Sequence, residues 1–328
     1  MRIQRDFVFD TYSPLASSSV LTQRVMTPLL RERIRSGAQA SGIAISEQSI
    51  DLAKERFSVY VPEGVKPVAG YGLLVFISPW DKAGIPTRWM PVLARHGLAV
   101  VTAADAGNDQ KVIDRRMPLA LSAYENMRKR YPIDPARIYV GGLSGGGRVA
   151  MRLALAFPDV FHGALLNAGS DPVGTLEVPL PDAALFREFE QRSRLVYTTG
   201  SGDSAVMRTD MRSRDSLREL CFSDVTTLTM RGRGHEPTDP ATLGLALEAL
   251  NGPHTDEPKM AACRVARDAE IADQLAAIGT RIDAGNLRDA AKQLQAVDEH
   301  FGGLAMPGSL DLARRLAARV NTVAGSTP

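Results

Sequence analysis

Apolar and polar positions divide this chain into two regimes. From about residue 55 to residue 250, short apolar runs of strand length alternate with amphipathic runs of helical length. Arg56-Phe-Ser-Val-Tyr-Val-Pro62 alternates like a half-buried strand, whereas Tyr71 to Ile77 is apolar like a strand covered on both faces. Thr87 to His96 has helical spacing and closes at Gly97, and Leu98 to Thr102 is again a buried strand. A helix over about 112–130 follows. Next come Ile138-Tyr-Val140, a helix from Arg148 to Phe157 stopped by Pro158, and a strand from Gly163 to Ala168. Arg194 to Thr199 and Val225 to Met230 complete the strands, with helices over Met207 to Leu220 and about 240–250. Repeated β-α units of this kind predict a doubly wound, mostly parallel sheet of the α/β class, covered by helices. Ligand sites in such a sheet gather at the carboxyl ends of the strands.

The first fifty residues offer a strand, Ile3 to Phe9, and an Arg-rich helical stretch, Leu29 to Ser36, without a chemical signature. After Asn251-Gly-Pro253 no strand pattern remains. Val265, Ala269, Ala272, Leu275, Ile278 and Ile282 form one helical stripe, Leu287, Ala291, Leu294, Val297 and Phe301 a second, and Leu310, Ala313, Leu316 and Val320 a third. A helical hairpin with one more helix cannot bury its apolar face alone, so it is expected to pack on the preceding body or, as a homodimer, on a second copy. The expected organisation is an N-terminal extension over residues 1–54, an α/β domain over 55–252 and a C-terminal helical appendage over 253–328.

Composition changes this picture little. A hydrophobic content of 44% suffices for a large core, and 39 basic against 37 acidic side chains give no electrostatic case for nucleic acid or an anionic membrane. Arg208, Arg212, Arg214 and Arg218 cluster, but Asp210, Asp215 and Glu219 interleave with them, which reads as a solvated helix face. Cys221 and Cys263 are too few for a disulfide framework and lack metal-ligand spacing, so Cys221 reads as a buried thiol. No apolar run reaches membrane-spanning length, and residues 1–20 show no leader pattern. The compartment is therefore left open: cytoplasmic for a full-length chain, periplasmic or secreted for one trimmed of a leader.

Candidate chemistry concentrates in Tyr139-Val-Gly-Gly-Leu-Ser-Gly-Gly-Gly-Arg-Val-Ala150. Gly142-Leu143-Ser144-Gly145-Gly146 matches G-x-S-x-G between a strand and a helix, the context in which the serine is forced into a sharp turn and its hydroxyl exposed. The glycines carry neither the Lys-Ser/Thr of a phosphate loop nor a dinucleotide register. Ser144 is accordingly the expected nucleophile. It needs a base, and of five histidines His235 alone sits on a glycine loop, Arg231-Gly-Arg-Gly-His235, just past the last strand. The imidazole needs a carboxylate to hold its tautomer. Asp203, in Gly200-Ser-Gly-Asp203 after the strand ending at Thr199, is the first choice, and Asp171 the rival. Oxyanion donors are expected from the Gly145 N–H and, after the strand ending at Ile77, from the Trp80 N–H, with Asp81 as the alternative because Pro79 has no N–H to donate.

These residues carry a resemblance. Tyr131-Pro-Ile-Asp-Pro-Ala-Arg-Ile-Tyr-Val-Gly-Gly-Leu-Ser-Gly-Gly-Gly147, Gly-Ser-Gly-Asp203 and Gly-Arg-Gly-His235 resemble the elbow, acid and histidine loops of α/β-hydrolase serine esterases of the polyhydroxybutyrate-depolymerase-like and feruloyl-esterase-like branch. The likeness covers about residues 56–250 and departs from the common pattern at Ser78-Pro79-Trp80. It implies a carboxylesterase that forms an acyl-enzyme on Ser144 and needs neither cofactor nor metal, acting on a small or oligomeric ester. A peptidase, amidase or thioesterase with the same triad, or a non-catalytic scaffold of the same fold, are the competing readings.

Overall fold

The computed structural model describes residues 2–44, 46–64, 67–254 and 258–325. Its frame is one eight-stranded sheet. The strands are β1 (Ile3–Phe7), β2 (Phe57–Tyr60), β3 (Tyr71–Ile77), β4 (Leu98–Ala103), β5 (Ile133–Leu143), β6 (Gly163–Asn167), β7 (Arg194–Gly200) and β8 (Val225–Met230). They lie in the order β1-β2-β4-β3-β5-β6-β7-β8. The first two pairings, β1 with β2 and β2 with β4, are antiparallel, and every later one is parallel.

Helices enclose both faces. They are α1 (Ser18–Val25), α2 (Pro28–Ser41), α3 (Met90–Arg95), α4 (Met117–Arg130), α5 (Gly145–Ala156), α6 (Ala183–Arg192), α7 (Ser204–Glu219) and α8 (Pro240–Asn251), and then α9 (Pro258–Asp283), α10 (Leu287–Phe301) and α11 (Gly308–Gly325). Strands β3 and β4 are buried almost end to end because helices cover both of their surfaces. The result is a doubly wound α/β sheet with a C-terminal helical appendage. Two apolar clusters sit on opposite faces, one under α1, α4, α5 and α6, the other under α3 and α8.

Three features of the appendage differ from the sequence expectation. Cys221 is no isolated thiol: it is bonded to Cys263, tying the end of α7 to α9. Closing a ring with a sequence separation of 42 is worth about 4 kcal/mol by loss of denatured-state entropy. Next, the α9 stripe is rotated in its first half. Val265 is 72% exposed and Arg267 is buried, because that face meets α6 rather than α10. Arg267 donates to Glu190 Oε1 at 2.9 Å and to the Leu220 carbonyl at 3.0 Å, and its guanidinium lies over the Phe186 ring. Burial pushes the Glu190 carboxyl up and Arg267 pulls it down, and burial is the larger effect. Finally, the remaining apolar residues of the appendage form their own cluster, Ile278, Ile282, Leu294 and Phe301 among them, to which Leu29 of α2 contributes. Asp298 of α10 accepts from the Leu29 N–H at 3.0 Å, a second joint between the ends of the chain.

Removing one partner of a buried pair strands the other. Arg267→Ala is expected to lower the unfolding free energy by about 3–5 kcal/mol in a urea titration. Arg267→Met combined with Glu190→Leu is expected to recover most of that loss. A single-variant cost below about 1 kcal/mol would show that Arg267 does not anchor α9.

Candidate functional site

The turn between β5 and α5 is the most constrained point of the chain. Ser144 has φ 56° and ψ −123°, a backbone region that side chains other than glycine rarely occupy. The strain is held by neighbours: the Ser144 N–H donates to the Asn167 carbonyl of β6 at 2.8 Å, and its own carbonyl accepts from the Gly147 N–H at 2.9 Å. Glycine is required beside it because the backbones nearly touch. A Cβ on Gly146 would run into the Ile77 carbonyl, and one on Gly142 into the Gly146 backbone. Ser144 thus stands at the carboxyl end of a central strand and at the N-terminus of a twelve-residue helix, where the first N–H groups, that of Gly145 foremost, have no intrahelical acceptor.

A serine on such an elbow, in a sheet of this strand order, fixes the architecture. This is the α/β-hydrolase fold. In this hydrolase fold the other predicted residues arrive from the ends of β7 and β8. His235 Nδ1 lies 2.5 Å from Asp203 Oδ2. Asp203 is also the N-cap of α7, its Oδ1 accepting from the Val206 N–H at 3.3 Å, so helix and imidazole fix the carboxylate from two sides. The His235 side chain is exposed and, with Ser144, lines an open cavity of about 460 Å³. Asp171, the rival acid, is engaged elsewhere: it pairs with Arg152 at 3.2 Å and with Arg148 at 3.5 Å.

Trp80 corrects the expectation for the second donor. Its N–H donates to Ser78 Oγ at 3.1 Å, its side chain is 57% exposed, and it does not line the cavity that holds Ser144. The physical reason is the turn itself: with Pro79 unable to donate, the Ser78 hydroxyl captures the next available N–H. Asp81, the alternative, accepts from Asp105 and Gly107 through its carbonyl and carboxylate and faces a different cavity. Asn108 occupies the catalytic side instead. Its N–H donates to the Pro79 carbonyl at 3.0 Å, its carboxamide touches the Cα side of Gly145, and it lines the same cavity as Ser144 and His235.

Two further residues support the site without a motif to announce them. Asn167, fully buried at the end of β6, donates to the carbonyls of Thr198 and Glu236 and accepts from the Thr238 N–H. It therefore ties the elbow to the loop that carries His235. Its only sequence signal is a polar residue closing an apolar strand. Arg116, at the end of the π-helical turn Val112–Arg116, is 3% exposed and donates to the carbonyls of Ala106 (2.9 Å), Ser78 (3.1 Å) and Gly145 (3.4 Å). One guanidinium thus joins the loops after β3 and β4 to the first residue of α5. Burial pushes it down to about 10, and a second arginine, Arg152, adds to that, yet it remains protonated at neutral pH. Asp210, expected on a solvated face, is buried and accepts from Ser170 at 2.6 Å and Thr199 at 2.5 Å. Burial pushes its carboxyl up.

Comparison with known proteins adds a short sequence match. The chain is 49% identical over 43 residues to a poly(3-hydroxybutyrate) depolymerase from Ralstonia pickettii, a stretch that is 13% of this chain and 9% of that enzyme. It is 47% identical over 45 residues to poly(3-hydroxyalkanoate) depolymerase C from Paucimonas lemoignei, 14% of this chain and 11% of that enzyme. Each match thus spans about a tenth of the relative's length. No family model matches the chain. Among solved structures, a thermophilic esterase from Thermogutta terrifontis superposes on 62% of this chain and 89% of its own at 19% identity and a TM-score of 0.45. An S-formylglutathione hydrolase from Staphylococcus aureus superposes on 76% and 98% at 14% identity and a TM-score of 0.47.

Because Arg116 holds two loops and the start of α5 at once, Arg116→Met is expected to destabilise the protein by about 3 kcal/mol, the scale of three lost charge-assisted bonds less the desolvation relieved. The check is the midpoint of urea unfolding. An unchanged midpoint would mean that the two loops and the start of α5 hold their places without it.

Proposed function

We propose that the protein is a serine hydrolase that cleaves carboxylic esters through an acyl-enzyme on Ser144. The observation that carries this reading is the 2.5 Å Asp203–His235 pair, which opens onto the same cavity as a serine held in a strained elbow. His235, its Nδ1–H held by Asp203, presents Nε2 as the base. Nε2 takes the Oγ proton as Ser144 attacks the ester carbonyl, and the carbonyl oxygen becomes an anion. On collapse the C–O bond to the alcohol breaks and His235 returns the proton to the leaving alkoxide. Water then repeats the sequence: it loses a proton to His235, attacks the acyl carbon, and releases the carboxylic acid with Ser144 restored.

The oxyanion forms beside Gly145, whose N–H stands at the head of α5. The second donor in this reading is the Asn108 carboxamide, a choice supported by its lying against Gly145 and lining the cavity of Ser144, which Trp80 does not line. The short match to depolymerases of polyhydroxyalkanoates, themselves polyesters, supports the choice of an ester over an amide.

Ser144→Ala is expected to abolish both turnover of alkyl and aryl esters and labelling by a fluorophosphonate, with the fold intact. Turnover retained by this variant would remove the nucleophile assignment. Asn108→Ala is expected to lower kcat by about 10²–10³ with little change in KM, the scale of a lost oxyanion donor. A loss confined to KM would make Asn108 a substrate contact and not an oxyanion donor.

A further inference from the structure

The cavity at Ser144 has a chemical bias that the triad does not use. Arg116, Arg148 and Arg152 all line it, and no Asp or Glu does. Two carboxylates stand beside it: Asp171, shared between Arg148 and Arg152, and Asp203, held on His235. Three guanidinium groups against these two carboxylates leave a surplus of positive charge in a concave site, which is the arrangement that concentrates anions.

The three arginines are not equivalent. Arg116 is spent on three carbonyls. Arg152, its side chain 18% exposed, donates to the Glu177 and Arg148 carbonyls and pairs with Asp171. Arg148 is different: its side chain is 52% exposed, and its one ion pair among the described residues is a 3.5 Å contact through Nε. Neither of its terminal nitrogens has an acceptor among the described residues. It lies four residues after Ser144 on α5, hence one turn or about 6 Å along the same helix face. Val112 and Val149 line the cavity with these two residues, so part of its wall is aliphatic.

We propose that Arg148 receives a carboxylate of the substrate, so that the site takes esters whose chain bears a carboxylate a short aliphatic spacer away from the scissile bond. This rests on the ester-hydrolase reading above. The free edge of Arg148 presents two parallel N–H donors, the geometry that matches a carboxylate bidentately. Arg116, engaged with carbonyls, and Arg152, engaged with carbonyls and Asp171, add positive charge beside it. Arg148 is a specificity residue in this scheme; the reacting atoms stay with Ser144 and His235.

The test compares charged and neutral esters of equal length. Monomethyl adipate is set against methyl hexanoate for a carboxylate in the acyl half, and an acetylated hydroxyalkanoate against an alkyl acetate for one in the alcohol half. The intact protein is expected to prefer at least one charged ester at least tenfold in kcat/KM, through KM, with the preference shrinking as salt is raised. Arg148→Gln is expected to remove the preference and Arg148→Glu to invert it. Turnover of the neutral esters without a preference, or a preference that survives Arg148→Glu, overturns the carboxylate subsite and leaves the esterase reading standing. If neither kind of ester is turned over, both fall.

Discussion

Everything at the site follows from one congested crossing of backbones. Ser144 can hold its strained φ and ψ only because β3, β6 and the first turn of α5 close around it, with Gly142 and Gly146 sparing the space that side chains would take. The conformation costs on the order of 1–3 kcal/mol. Burial of the central strands and of the apolar face of α5 offsets it, which is why the elbow lies at the middle of the sheet and not at an edge.

From that point the site is assembled by polar groups sunk in the protein. Asn167 links elbow and histidine loop with a single carboxamide, and Arg116 links two loops and the head of α5 with a single guanidinium. Both are buried and both spend their donors on backbone carbonyls. Such groups are costly to desolvate and costlier to leave unpaired, so they specify one arrangement of loops more sharply than apolar packing would.

This division explains what could be read from the chain. Alternating strand and helix periods, the G-x-S-x-G turn, and the positions of Asp203 and His235 after strands depend on local sequence and chain order, and they were legible. The role of Trp80 was not, because it hung on whether a neighbouring hydroxyl would capture its N–H. Arg116 gave no sign, since nothing in its segment says that a guanidinium will be buried among carbonyls. In α9 the periodicity located the helix but not its azimuth: Arg267 displaced Val265 from the packed face because a buried carboxylate waited on α6. The pairing of Cys221 with Cys263 likewise needed the tertiary approach of α7 and α9.

That last bond has a topological consequence. The ring it closes contains β8, the loop bearing His235, and α8. The segment that supplies the base is therefore tethered at both ends: by the sheet and, covalently, through the appendage. A backbone cut anywhere inside the ring would leave the two fragments joined for as long as thiols stay oxidised. The histidine loop could be nicked without the molecule coming apart.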